Sequence, residues 1–114
     1  EKYFIIPEPC ENAKPSWFGF LLTCKEGVDR NEIVSYLESK KIQTRMLFAG
    51  NLVKHPCFDE MRSTGDGYRV IGNLSNTDRI MRDTFWIGVY PGMTDEMIDA
   101  MAMALREACE KGNL

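Results

Sequence analysis

The chain reads as a two-layer α+β domain, about three mainly antiparallel strands backed by helices. Three observations predict this. Two short runs, Trp17–Cys24 and Thr84–Tyr90, are rich in aromatic and branched apolar residues and end near glycine or proline, as strands do. A stretch from Asp29 to Lys41 starts with a capping pattern and carries an apolar stripe. Near the C-terminus, Met97, Ile98, Met101, Leu105 and Ala108 recur at helical spacing. A length of 114 residues suits one domain with one modest core.

Residues 1–15 contain Pro7, Pro9 and Pro15 and little periodicity after Ile6. Proline lacks the donor that ladders and helices need, so this segment is expected to be an extended interdomain connection, with the domain proper at 16–114. Trp17–Cys24 is the first expected strand, closed by a turn at Gly27. Asp29 then caps a helix to Lys41, with Glu32 completing the box and Ile33, Val34, Tyr36 and Leu37 forming its apolar stripe. Gln43–Phe48 is the second strand, and a strand–helix–strand link of this kind predicts a right-handed crossover.

From Ala49 to Asn73 the pattern loosens. Gly50-Asn51 and Gly65-Asp66-Gly67 are turn signals, and Pro56 disfavours helix at His55. A short helical turn over Phe58–Arg62 fits, followed by a helix over Asn76–Arg82 that Ser75 is expected to cap. Thr84–Tyr90 is the third strand. Thr94 caps the last helix, Asp95 and Glu96 place negative charge on its first turn, and Gly112 ends it.

Composition narrows the function. The net charge is −3, with both signs interleaved, which argues against a nucleic-acid binder. No apolar run approaches the ~20 residues needed to cross a bilayer. Cys10, Cys24, Cys57 and Cys109 form no C-x-x-C pair, so reduced thiols of a cytoplasmic protein are expected rather than a metal site. His55 is the only histidine and sits in a loop beside Pro56, with no nucleophile fixed near it by any motif. The residues therefore offer no self-contained catalytic set. The stripe Met93, Met97, Met101 and Met103 has, in part, the period of a helix face and reads as core packing.

The segment after the second strand is the more informative one. Arg45 is a fixed cation near a strand end, suited to a phosphate or carboxylate. Asn51 has an amide that both donates and accepts, suited to sugar hydroxyls, and Phe48 can line an apolar wall. From residue chemistry alone, a structural ion pair for Arg45, a turn residue for Asn51 and a core residue for Phe48 are the favoured reading.

A resemblance changes that balance. Pro15-Ser16-Trp17-Phe18-Gly19-Phe20, Thr44-Arg45-Met46-Leu47-Phe48-Ala49-Gly50-Asn51-Leu52, and Asn76-Thr77-Asp78-Arg79-Ile80-Met81 through Gly92 carry it. Together they resemble the small C-terminal domain of sugar-nucleotide 3-dehydratases acting on 4-keto-6-deoxyhexoses, such as those using CDP-4-keto-6-deoxyglucose in lipopolysaccharide dideoxysugar synthesis. These enzymes lie within the DegT/DnrJ/EryC1/StrS sugar aminotransferase-like group of fold-type I proteins. Related aminotransferases carry a Pro-Leu-His-x-x-Pro-like string here. Aligned on Pro56, its histidine falls on Val53 and its first proline on Asn51, which favours the dehydratase branch.

The resemblance implies a parent enzyme with pyridoxamine or pyridoxal 5′-phosphate, in which the cofactor withdraws electrons while the C3 hydroxyl of a nucleotide sugar is expelled. It also implies that the cofactor site, a histidine in place of the cofactor-linking lysine, and any [2Fe-2S] cluster lie in an N-terminal domain of about 250–320 residues. A homodimeric parent and a reductase partner belong to the same expectation. The part left to these 114 residues is closure over the site and substrate contact through Arg45, Phe48 and Asn51, with no catalytic, cofactor-binding or metal residue of their own. The alternatives are the small domain of a sugar aminotransferase and a free-standing ferredoxin-like binding module.

Overall fold

The computed structural model describes residues 2–111. In chain order its strands and helices are β1 (Phe4–Ile5), β2 (Gly19–Cys24), α1 (Arg30–Ser39), β3 (Thr44–Met46), α2 (Asp59–Thr64), α3 (Ser75–Asp83), β4 (Thr84–Gly88) and α4 (Asp95–Lys111). Single 3₁₀ turns over Leu52–Lys54 and Pro56–Phe58 precede α2. The strands form one four-stranded sheet in the order β1-β2-β4-β3, every neighbouring pair antiparallel. The α+β class expected from the sequence is the one observed.

Two details differ. The proline-rich lead-in contributes a strand: Phe4 pairs with Cys24 and Ile5 with Thr23, because Phe4 has a buried place on the helix side of the sheet. Second, β2 and β3 run parallel to each other, as a crossover through α1 requires, but β4 is inserted between them. The unit is a split βαβ, which closes only when the chain returns through β4.

Local chemistry explains the helices. The Asp29 carboxylate accepts from the backbone N–H of Asn31 and Glu32, satisfying donors that a helix start leaves free. Thr94 does the same for Met97 at the start of α4. The start of α3 departs from expectation: Leu74, with φ +53°, is the capping residue, Ser75 is already helical, and the Asn73 side chain accepts from the Ser75 N–H. An Asx turn one step earlier takes the role predicted for Ser75. The expected end of α4 at Gly112 lies outside the described residues.

Side chains alternate across the sheet and separate two faces. Leu22, Cys24, Phe85 and Ile87 point towards the helices and join Ile33 and Leu37 of α1 and Ala104, Ala108 and Cys109 of α4 in one core. The small alanines let α4 approach closely. The other face carries the row Leu21–Trp86–Arg45, set by the pairing of β2, β4 and β3. Among the described residues no helix is long and apolar enough to cross a membrane.

Candidate functional site

The loop after β3 is built as a rigid piece. Phe48 and Gly50 both have positive φ, +48° and +65°, so the chain doubles back immediately after the strand. A Cβ on Gly50 would lie 2.5 Å from Cγ of Met81, so the glycine lets the loop settle on α3. Asn51 is buried, 3% exposed. Its Oδ1 accepts from the Val53 N–H at 3.1 Å and its Nδ2 donates to Oδ1 of Asp78 at 2.8 Å. The other Asp78 oxygen receives Lys54 at 2.9 Å. Farther along, the Arg62 guanidinium donates to the carbonyls of Val53 and His55, and the His55 ring contacts the Ala49 carbonyl.

Asp78 draws a physical consequence from this. Hydrogen bonds from Lys54 and then Asn51 hold its carboxyl below the usual carboxylate range. Its place in the first turn of α3 also favours the charged form. The carboxylate is a fixed anion serving two donors from one loop. Its importance was not visible in the sequence, because the bonded residues are 27 positions apart.

The predicted trio separates in this frame. Arg45 is exposed on the open face, donates to the Thr44 carbonyl at 2.9 Å, and forms no ion pair among the described residues. Its charge contributes to lowering the Glu38 pKa, behind the two hydrogen bonds that Glu38 takes from the hydroxyl and N–H of Thr44. Phe48 is 77% exposed, with its ring centroid 6.3 Å from that of Trp86. Phe18 flanks the same indole at 4.8 Å. Asn51 differs from the expectation of a hydroxyl reader: burial and the bonds to Val53 and Asp78 commit its amide to the loop. The Trp86 ring, which sequence reasoning left as a strand residue, is the centre of the patch and lies over Gly19, where a Cβ would come within 1.5 Å of the indole.

A phosphate-bearing pyridine cofactor needs phosphate donors, an acid beside the ring nitrogen and a group poised at the reacting carbon. The residues present do not fit it. His55 is tied to a loop carbonyl. In the polar cleft at the start of α1, about 420 Å³, the helix's leading donors are taken by Asp29 and Arg82 is paired with Asp83. Nor do the cysteines assemble a metal site. Burial pushes the Cys24 thiol up to about 12, Cys109 is also raised, Cys10 and Cys57 are exposed, and no metal-binding cluster exists among the described residues.

The methionine stripe is only partly core. Met101 packs against the core cluster, whereas Met97 and Met103 are exposed and, with Met93, Ile42 and Tyr90, line an open apolar groove of about 550 Å³. α4 turns one flank to the sheet and the other to this groove.

Comparison with known proteins places this geometry. The profile of the DegT/DnrJ/EryC1/StrS aminotransferase family matches residues 2–106. The lipopolysaccharide biosynthesis protein RfbH of Salmonella typhimurium is 49% identical over 108 residues, which are 93% of this chain and 24% of that protein. The dTDP-4-dehydro-2,6-dideoxy-D-glucose 3-dehydratase of Saccharopolyspora spinosa is 40% identical over 111 residues, 96% of this chain and 23% of that enzyme. Among solved structures, a variant of GDP-4-keto-6-deoxymannose-3-dehydratase with bound GDP-perosamine superposes with a TM-score of 0.76 and 26% identity, over 92% of this chain and 26% of that one. The E. coli enzyme of the same name with bound hydrated PLP gives 0.68 and 26% identity, over 94% and 25%. The chain thus spans about a quarter of the length of the relatives it matches.

Proposed function

We propose, from the premise that this chain belongs to the DegT/DnrJ/EryC1/StrS aminotransferase family, that it forms the small C-terminal domain of a cytoplasmic nucleotide-sugar 3-dehydratase. In this reading the proline-rich lead-in runs to a cofactor-holding domain, its Phe4–Ile5 strand being already part of this sheet, and the domain closes over the site. The observation that carries the reading is the superposition on a sugar-nucleotide 3-dehydratase over nearly the whole chain. Sequence identity of 40% to a second 3-dehydratase supports the same class.

The cofactor, pyridoxamine or pyridoxal phosphate, is assigned to the other domain, which makes up the roughly three quarters of the relatives' length that this chain does not span. Any iron–sulfur centre, the subunit partner and a reductase belong with that domain as well. What this domain supplies is contact and exclusion of water. Arg45 offers a guanidinium that forms no ion pair among the described residues, suited to a diphosphate. Phe48 and Trp86 offer flat apolar surface for the sugar or base. Asn51 acts one layer behind, holding the loop.

The test is an assay of the natural gene product containing this sequence, supplied with pyridoxamine phosphate and a nucleotide-linked 4-keto-6-deoxyhexose. Loss of the C3 hydroxyl is expected, and Phe48→Ala should raise KM several-fold, on the order of the loss of one well-placed stacking contact, with Tm unchanged. Residues 1–114 alone are expected to show no turnover. An amino group appearing at C4 with the C3 hydroxyl retained would replace dehydration by transamination.

A further inference from the structure

We infer that Asp78 is a positioning residue for the ligand-facing loop, setting where Phe48 stands although its own carboxylate is directed at the loop and not at the open face. This inference rests on the functional reading above. It begins from what α3 presents to the loop. Asp78 and Met81 are three residues apart and so lie on one face of the helix. Met81 fills the space a side chain on Gly50 would need, and its sulfur receives the Asn51 N–H at 3.4 Å. Asp78 holds Asn51 by one oxygen and Lys54 by the other. The loop is thus held at Gly50, Asn51 and Lys54 by two side chains of one short helix.

That helix is itself fastened to the sheet. The Arg30 guanidinium reaches from the first residue of α1 to the carbonyls of Met81 and Thr84, both at 3.3 Å, where the end of α3 leaves acceptors unsatisfied. Its position therefore follows that of the core, and the loop follows the helix. The part of the loop that faces outward is Phe48, held in left-handed backbone geometry that disfavours every residue with a Cβ. A large, exposed ring in that conformation persists only where the surrounding bonds over-determine it. Asp78 supplies two of those bonds.

The consequence is an effect on binding without a direct contact. With Asp78→Ala, Asn51 and Lys54 lose their shared acceptor, the loop samples more positions, and the ligand must select the competent one. The apparent affinity then falls in proportion to the competent fraction. Turnover of the bound complex is preserved.

The experiment uses the natural gene product with Asp78→Ala, Asp78→Asn and, as a separate entry into the same bond, Asn51→Ala. Two quantities are read. Hydrogen exchange of the Val53 amide reports the loop directly and requires no activity. Steady-state kinetics with the nucleotide sugar report KM and kcat apart. The expected result for Asp78→Ala is Val53 exchange at least about tenfold faster and KM raised about tenfold, with kcat within about twofold. Asp78→Asn, which keeps the acceptor for Asn51 but loses the charge facing Lys54, should fall between. Asn51→Ala removes the acceptor of the Val53 N–H itself and so marks the upper limit of the exchange effect; unchanged Val53 exchange in Asp78→Ala overturns the inference, and so does a fall in kcat at constant KM. Wild-type protein that turns over no nucleotide sugar sinks the functional reading instead, while the exchange arm still decides whether Asp78 sets the loop.

Discussion

Phe85 and Trp86 are consecutive residues of β4, yet they have opposite surroundings. Phe85 has no exposed surface and touches the core shared by α1, α4 and the sheet, with Phe4 edge-on at 6.1 Å. Trp86 is half-buried on the uncovered face, between the exposed rings of Phe18 and Phe48. On the helix side, apolar area is removed from water within these residues, and it stabilises the fold. On the open side, comparable aromatic area is left in water at a cost, next to the Arg45 guanidinium, which forms no ion pair among the described residues. The difference teaches how one strand, by alternation alone, builds the core on one side and leaves an aromatic surface open to a ligand or partner on the other.

The sharpest way to break this comparison is to truncate the two rings separately. Phe85→Ala removes a fully buried ring from a small core and should destabilise the domain by about 3–5 kcal/mol. Urea or thermal unfolding measures it, and in a chain of this size such a loss leaves little folded protein. A cost below that of Trp86→Ala would mean that the core has been assigned to the wrong face. Trp86→Ala, next in size, should cost about 1–2 kcal/mol, since part of the indole already faces water and the area lost is smaller. The same variant should raise KM in the natural gene product, whereas any activity effect of Phe85→Ala should follow the folded fraction.

The division was partly legible in the sequence. Asp29 and Thr94 announced their helices because capping is local chemistry, decided within three residues. The strand Thr84–Gly88 was legible from its apolar and branched residues. β1 was not, because Phe4 becomes a strand residue only by meeting Cys24 across the sheet, and prolines beside it argued for loop. The crossover was read correctly as strand–helix–strand, but nothing between residues 19 and 46 says that β4 will be inserted between its strands. Asn51 shows the same limit at the site. Its residue type suits a sugar hydroxyl and a buried turn equally, and Asp78, which decides between them, is far away in the chain. Met97 and Met103 kept the helical period of core residues and face a groove instead, because periodicity finds an apolar flank without saying what covers it.

The smallest effect sharpens the comparison through charge. Asp78, Glu38 and Glu107 all lie outside the core, and hydrogen bonds hold each below the usual carboxylate range: from Lys54 and Asn51 to Asp78, from Thr44 to Glu38, and from Tyr36, then Lys40, to Glu107. A carboxyl whose folded pKa is lower than its unfolded value stabilises the fold above the unfolded value, about 4, and loses that contribution as pH falls through the folded one. Stability should therefore be flat from about pH 7 to 5 and decline below about 4. Solvent reaches all three groups, so each contributes little and added salt should weaken the effect. Tm measured from pH 7 to 3 gives the profile. Glu38→Gln should flatten the acid limb slightly, because the amide oxygen still accepts from Thr44 but no longer titrates. Profiles for Glu38→Gln and the parent chain that stay parallel down to pH 3 would mean that Thr44 binds this side chain without preferring its charge, and that acid sensitivity arises from the other carboxylates, Asp78 and Glu107 among them.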